Sequence, residues 1–364
     1  MKGYDFKEIC SQFEYKGEYI SARIYGEGHI NETYLVETTG HRYILQRLND
    51  NVFKDPVKVI ENVVAVTEYL HNKIVSNSGD PYRETLTLIP TKNGEWYYKS
   101  EQGDVFRMYI FIDHASSYQS IDNPEMFYRV AKSFGHFQKL LRSFPAEKLH
   151  ETIEKFHDTT DRYRQFKEAV AADKVGRCAD VEKEIAFVLE REKDAAVVVD
   201  AIANGEIPLR VTHNDTKLNN VLIDDTTGKG VCVIDLDTVM PGSMLYDYGD
   251  SIRFGASTAA EDETNLSKVW MDLELFEQYT KGYIEELKES FTPKEIELLA
   301  FSAKLMTLEC GVRFLTDHLD GDNYFRIHRP NHNLDRARTQ FKLVADMEEK
   351  MNKMNDIVQK YYNA

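Results

Sequence analysis

The chain of 364 residues has little cysteine, and its four thiols (Cys10, Cys178, Cys232, Cys310) lie far apart with no C-x-x-C pair. A disulfide framework is therefore not expected in a chain this large and poor in cysteine. Cys232 alternates with valines and reads as a small buried hydrophobe. Lys and Arg are also in deficit, 45 against 61 Asp and Glu, for a net charge of −16. That balance argues against nucleic acid, which demands a cationic surface. No uninterrupted apolar run reaches the roughly 18 residues that span a bilayer, and Met1-Lys2-Gly3-Tyr4-Asp5 opens no apolar leader. A soluble, cytoplasmic protein is expected, with no membrane partner. Internal repeats and low-complexity tracts are lacking as well.

What is present is ordinary for a globular chain: 42% hydrophobic and 12% aromatic residues, enough to bury a core in two lobes. Residues 1–112 read as strand-rich. Ala22 to Tyr25 leads through Gly26-Glu27-Gly28-His29-Ile30-Asn31 into Thr33 to Val36. A turn at Thr39 and Gly40 then precedes Tyr43-Ile44-Leu45-Gln46. Pro56 opens a helix whose Val59, Val63, Val66 and Leu70 share one face. Further strands are expected around Trp96 to Tyr98 and from Val105 to Phe111. Asp113-His114 is expected as a hinge. Residues 113–364 then turn mainly helical, with an apolar stripe of Phe127, Val130, Phe134, Phe137 and Leu141. Residues 146–206 are helical in pattern and carry no legible chemistry. An irregular stretch is expected near Gly321 to His332.

The most informative run is His213-Asn214-Asp215-Thr216-Lys217-Leu218-Asn219-Asn220, which follows apolar Ile207, Leu209 and Val211. It places a carboxylate and an amide five positions apart. A second apolar strand then ends in Ile234-Asp235-Leu236-Asp237. H-x-D-x-x-x-x-N, a hairpin and a further Asp is the layout of a protein-kinase-like active site. Transfer of a phosphoryl group to an alcohol needs a base, hard-oxygen ligands for Mg²⁺ and cations for the moving phosphate. Asp215 fits the base and Lys217 the cation. Asn220 and Asp235 fit the metal ligands. Asp237, taken to lie on the same strand face as Asp235, is a candidate second ligand. A polar hairpin chosen for turn propensity would explain Asp224 to Gly228, but not acidic residues closing a hydrophobic strand. His213 is expected to pack and hold the loop, and Asp247 to act as an internal acceptor that steadies it.

Gly26 and Gly28, between the first two strands, could cover the phosphates of a nucleotide; a simple turn is the alternative. Gln46 stands where a protein kinase carries its phosphate-binding lysine. The corresponding helix partner falls at Glu61 or Asn62. Arg47 should face the other side of its strand.

On the runs Gly28-His29-Ile30-Asn31, Tyr43 to Gln46, Val211 to Asn220, Ile234 to Thr238, Met240 to Leu245, Asp250 to Ser257 and Glu309 to Leu315, followed by Gly321-Asp322 and Tyr324-Phe325, the chain resembles the aminoglycoside phosphotransferase-like family. Within it, the strings look like those of kinases of N-acetylhexosamines. The resemblance covers nearly the whole chain. It implies an α+β, bilobal protein-kinase-like fold with a small β-rich N-lobe and a larger, mainly helical C-lobe. It also implies ATP and Mg²⁺ as cofactors and phosphorylation of the anomeric hydroxyl of N-acetylglucosamine or N-acetylgalactosamine. By the same resemblance Asp215 is the base, Arg313 and Tyr324 contact the sugar, and Asn220 and Asp235 hold the metal; Gly26, Gly28, His29, Asn31 and Gln46 are the residues expected at the nucleotide. Read alone, Arg313 is equally a surface cation or a ligand clamp. A monomer is expected. Two other readings stand beside this one: a kinase of another small alcohol (choline, homoserine or an aminoglycoside) and a pseudokinase that binds without catalysis, which only Gln46 favours.

Overall fold

A computed structural model of the chain describes residues 3–26, 31–50, 52–121 and 123–364. The chain divides into two compact units. Unit 1 comprises residues 1–117, 143–154 and 221–241; unit 2 comprises 118–142, 155–220 and 242–364. A single cut after residue 112 was expected. The two later excursions belong to unit 1: His150 and Val239 hydrogen-bond Asn62, and Asp224 and Ile223 pair with Ala115 and Ser116.

In chain order, unit 1 begins with α1 (Phe6–Ser11), β1 (Tyr19–Ile24), β2 (Glu32–Thr38), β3 (Arg42–Arg47), α2 (Pro56–Ser76), α3 (Pro81–Glu84), β4 (Leu88–Ile89), β5 (Tyr98–Lys99), β6 (Val105–Ile110) and β7 (Ala115–Ser116). Unit 2 supplies α4 (Pro124–Leu141), α5 (Thr159–Ala172), α6 (Glu182–Leu189), α7 (Ala196–Ala203) and β8 (Arg210–Thr212). The chain returns to unit 1 for β9 (Val221–Asp224) and β10 (Gly230–Val233), and ends in unit 2 with α8 (Met244–Gly255), α9 (Leu273–Leu287), α10 (Pro293–Asp320) and α11 (His332–Asn363).

The large sheet of unit 1 is antiparallel, in the order β1-β2-β3-β6-β4, with β5 also on β6. Gly40, at φ +88°, makes the β2–β3 turn. Tyr34, Val36, Tyr43, Leu45, Phe106 and Met108 bury one face of the sheet together with Ile9, Cys10 and Phe13. In the register of β3 and β6, Gln46 stands directly opposite Arg107. Arg47 faces the other side and pairs with Asp104, as alternation requires. The helix α2 starts where Asp55 caps the Lys58 N–H and Pro56 fills the first turn. Its buried Asn62 donates to the carbonyls of His150 (2.8 Å) and Val239 (3.0 Å) and accepts from the His150 N–H (2.8 Å). Glu61 reaches the His150 ring instead, at 2.8 Å. Neither side chain pairs with Gln46.

In unit 2, α8 is buried along most of its length. Gly249 permits its approach to α10, because a Cβ there would lie 2.4 Å from the Ser302 carbonyl oxygen. A capping box of Thr292 and Glu295 starts α10. Glu295 also holds Arg210, at the head of β8, at 2.9 Å. Tyr163, Phe166, Val188, Leu308, Val312, Leu315 and Phe341 form the core beside α10. No helix of the described residues is long and apolar enough to cross a membrane.

Three hydrogen bonds converge on the buried Asn62, so Asn62→Ala strands two carbonyls and an N–H. A loss of about 1–3 kcal/mol in unfolding free energy is expected, the cost of buried unsatisfied groups. Glu61→Ala, at a largely exposed pair, should cost less than about 1 kcal/mol. Denaturant titration of both variants checks this, and equal losses would remove Asn62 from its anchoring role.

Candidate active site

The loop between β8 and β9 is built by unit 2. Asn214 adopts the left-handed region at φ +64°, which asparagine tolerates better than most residues. The turn is fixed from beneath by Asp247 on α8. Its carboxylate accepts the N–H groups of His213 (3.0 Å) and Asn214 (2.7 Å) and the side-chain amide of Gln138 (2.6 Å). Burial pushes the Asp247 carboxyl up, while the His213 ring and these donors work against that. Asp250, one turn on, accepts the Thr216 N–H at 3.1 Å and is itself held by Arg253. His213 is fully buried, edge-on to Phe134 and Phe137. Its place is therefore packing, as the sequence suggested, and Asp247 is the acceptor expected.

Above this base stand Asp215, Lys217 and Asn220. Lys217 Nζ lies 2.7 Å from Asp215 Oδ1. The Asn220 amide donates to the Asp215 carbonyl at 2.8 Å and its carboxylate at 3.3 Å. Burial alone would raise the Asp215 carboxyl, but the Lys217 ammonium, helped by His213 and Arg253, holds it below the usual carboxylate range. Lys217 is held above the usual lysine range, chiefly by Asp215. Because Asn220 spends its NH₂ on Asp215, its Oδ1 is left for a hard cation, and the donor chemistry fits Mg²⁺. Among the described residues no cluster of three or more His, Cys, Asp or Glu side chains surrounds a point.

Unit 1 carries the second half of the motif. The strand β10 ends at Val233, not at Asp237. Asp235 sits in the left-handed region at φ +59° and Leu236–Thr238 form a 3₁₀ turn. The shared strand face expected for Asp235 and Asp237 is therefore not formed. Asp235 is exposed, whereas Asp237 is buried. The Asp237 carboxylate is paired with Arg107 through Oδ1 and accepts from the Asn31 amide through Oδ2. Oδ1 meets the guanidinium as an ion pair and has no hydrogen bond of good geometry among the described residues.

The other side chains expected at the nucleotide meet in the same cluster. Gln46 Oε1 accepts from Arg107 Nε (3.1 Å) and Nη2 (2.8 Å), and its amide donates to Thr33 (3.1 Å). Asn31 Oδ1 accepts the Asn49 N–H at 3.0 Å. Gly26 has φ +75°, the turn geometry that glycine favours. Gly28 and His29 lie outside the described residues.

A second cluster in unit 2 surrounds Arg313. Glu309, Arg313 and Asp317 recur at four-residue spacing on α10, so they share a helix face. The Arg313 guanidinium lies 5.3 Å from the Phe156 ring, 5.5 Å from Phe325 and 6.0 Å from Tyr324. Asp317 holds the following loop, accepting the N–H groups of Asn323 (2.9 Å), Tyr324 (2.8 Å) and Phe325 (2.9 Å). Tyr324 is 64% exposed, so its ring is available to a ligand. Glu309 reaches the loop through His157: the ring's Nδ1 is 2.8 Å from Glu309 Oε1 and its Nε2 is 3.2 Å from the Asn214 carbonyl. Burial works to raise the Glu309 carboxyl, and His157, Thr159 and Arg313 together lower it. Arg162 lies near Arg313. Burial and then that second guanidinium depress it, and its buried Nε has no hydrogen-bond partner among the described residues. His157, Arg162 and Arg107 were missed in the sequence. The first two lie in a stretch with no motif. Arg107 did leave a signal, a charge at the centre of the apolar run Val105 to Ile110.

The fold and the loop define a protein-kinase-like phosphotransferase, and the comparisons agree. Residues 21–267 match the model of the phosphotransferase enzyme family. The chain belongs to that family. A microcompartment-associated aminopropanol kinase superposes with a TM-score of 0.65 at 16% identity, over 96% of this chain and 97% of its own. An ethanolamine kinase of Plasmodium vivax gives 0.55 at 16%, over 88% and 82%. A spectinomycin phosphotransferase in complex with ADP and spectinomycin gives 0.54 at 14%, over 98% of each chain. At these identities the likeness is one of fold.

The Asp215–Lys217 pair sets a titration with a definite sign. Lys217 favours the charged carboxylate, so removing it raises the Asp215 midpoint. In Lys217→Met the carboxyl carbon of Asp215, followed by NMR, should titrate at higher pH than in the wild type. An unchanged midpoint would show that the ammonium does not act on it.

Proposed function

We propose that the protein is an N-acetylhexosamine 1-kinase, transferring the γ-phosphoryl group of ATP to the anomeric hydroxyl of N-acetylglucosamine or N-acetylgalactosamine to give the α-1-phosphate. The observation that carries the substrate class is the Arg313 cluster. Its carboxylates are committed to the protein: Glu309 to His157 and Thr159, Asp317 to three backbone N–H groups. What is left for a ligand is a guanidinium, a second guanidinium nearby and aromatic rings. Such a surface suits a neutral sugar, whose hydroxyls accept from a fork and whose C–H faces stack on rings. It suits an amino alcohol or an aminoglycoside poorly, since those cations call for unspent carboxylates. The string resemblance to hexosamine kinases, running through Arg313 and Tyr324, supports the same choice.

The chemistry follows from the loop. The acceptor oxygen attacks the γ-phosphorus, a new P–O bond forms, the bond to the β-phosphate oxygen breaks, and ADP leaves. Asp215 orients the hydroxyl and takes its proton. A carboxylate held at low pKa is a weak base, which suits a loose transition state in which the proton departs late. Lys217 is the cation for the transferred group. Asn220 Oδ1 and Asp235 are the hard donors assigned to Mg²⁺, which, when bound, neutralises charge on the phosphates. Intact Asp215, Asn220 and Asp235 speak against a pseudokinase.

Release of ADP is expected with both N-acetylhexosamines and not with aminopropanol, ethanolamine or choline. Asp215→Asn should keep sugar and nucleotide binding and lose at least about 10²-fold in kcat. Arg313→Ala should raise KM for sugar far more than for ATP, and Arg313→Lys should be impaired too, lacking the planar fork. Steady-state kinetics on the purified protein decide it. Turnover of an amino alcohol in preference to the sugars, or a silent Arg313→Lys, would overturn the substrate class.

A further inference from the structure

The strand that should carry a cation has Gln46, yet a cation stands opposite it. Arg107 on β6 is 1% exposed and sits in register with Gln46. We propose that Arg107 is a positioning residue for Asp235: with Gln46, Asn31 and Asp237 it forms a buried clamp that fixes the turn on which Asp235 is presented. The inference rests on the phosphotransferase reading, in which Asp235 serves the metal-bound nucleotide.

The clamp ties three strands to one turn. Gln46 on β3 fixes the guanidinium through Nε and Nη2, and is itself held by Thr33 of β2. Nη2 pairs with Asp237, inside the turn Leu236–Thr238. Asn31, just before β2, grips the other Asp237 oxygen while its own Oδ1 is held by the Asn49 backbone just past β3. A buried guanidinium costs free energy unless it is matched; burial lowers its proton affinity, but Asp237, with Asp235 adding, more than restores it. The pairing separates two carboxylates that lie two residues apart. Asp237 is turned inward and neutralised. Asp235, next to the turn in a left-handed conformation, faces outward and is exposed. Arg107 is too buried for a phosphate to reach it, so it acts through Asp237 and not as a direct ligand. Its Nη1, the hydroxyl of Tyr109, whose ring lies 5.0 Å from the guanidinium, and Asp237 Oδ1, held only as an ion pair, have no hydrogen-bond partner among the described residues. Those loose ends mark a cluster chosen for geometry at some cost in stability.

The test separates metal-dependent from metal-independent nucleotide binding. ADP affinity is measured by calorimetry in EDTA and across a Mg²⁺ titration for the wild type, Arg107→Lys, Arg107→Gln and the double variant Arg107→Gln/Asp237→Asn, with thermal melting of each ligand-free protein as the folding control. Arg107→Lys keeps the charge and loses the fork. It should need about 10-fold or more Mg²⁺ for the same effect on ADP affinity, in the range that outer-shell partners of a metal ligand command, with affinity in EDTA within about 2-fold. The double variant removes both charges, so it should melt above Arg107→Gln and recover part of the Mg²⁺ response. A Mg²⁺ dependence unchanged in all three variants would overturn the clamp. So would an equal loss of ADP affinity with and without the ion, which would make Arg107 a direct phosphate ligand. Wild-type protein that binds no ADP under either condition would defeat the phosphotransferase reading itself, a failure visible before any variant is made.

Discussion

One buried carboxylate fixes the geometry on which the catalytic loop depends. Asp247 accepts two consecutive backbone N–H groups, of His213 and Asn214, while Gln138 holds it from α4. Consecutive N–H groups pointing the same way require a turn that ordinary strand or helix geometry does not supply, and Asn214 provides it at positive φ. Asp215 follows directly. Its orientation, its distance to Lys217 and the reach of Asn220 are all set by that turn. The carboxylate sits on α8, a helix packed closely enough against α10 that only glycine fits at position 249. The loop is thereby referenced to the rigid core of unit 2, as a site that must hold sub-ångström geometry requires.

The same economy recurs with the other carboxylates. In each cluster one acid is spent on architecture while a neighbouring group is not. Asp237 is matched by Arg107, and Asp235 remains exposed. Glu309 is consumed by His157 and Thr159, and Arg313, one helical turn on, is left among aromatic rings. Asp317 holds the backbone that presents Tyr324. Since His157 touches both Glu309 and the Asn214 carbonyl, the helix that bears Arg313 and the loop that bears Asp215 share one polar chain. Such coupling makes the position of Arg313 a matter for the loop as well as for the ligand.

The legibility of these features in the sequence follows their range along the chain. The loop from His213 to Asn220 is local, five positions between its acid and its amide, so its spacing alone revealed it and the fold class with it. The strands β2, β3 and β6 were readable from alternation, and the helical stripes of α2 and α4 from their period. The Arg107 clamp was hidden because it depends on strand register: nothing local says that Gln46 and Arg107 stand opposite each other. The strand face that Asp235 and Asp237 were expected to share was misread for a related reason. Alternation was extended past Val233, where a left-handed Asp235 and a 3₁₀ turn break it. His157 and Arg162 act through contacts with residues some 150 positions away, and their own neighbourhood carries no pattern. The short elements α1, α3 and β4 are too brief for any periodicity to mark.

The proposed reaction is regiochemically specific: it puts phosphate on the anomeric oxygen of an N-acetylhexosamine. Phosphorus and proton NMR of the product formed from N-acetylglucosamine and ATP tests it most directly. The account requires coupling between phosphorus and the anomeric proton, with the small H1–H2 coupling of an α-anomer. Phosphorus coupled to protons at C6, or at any position other than C1, would contradict it.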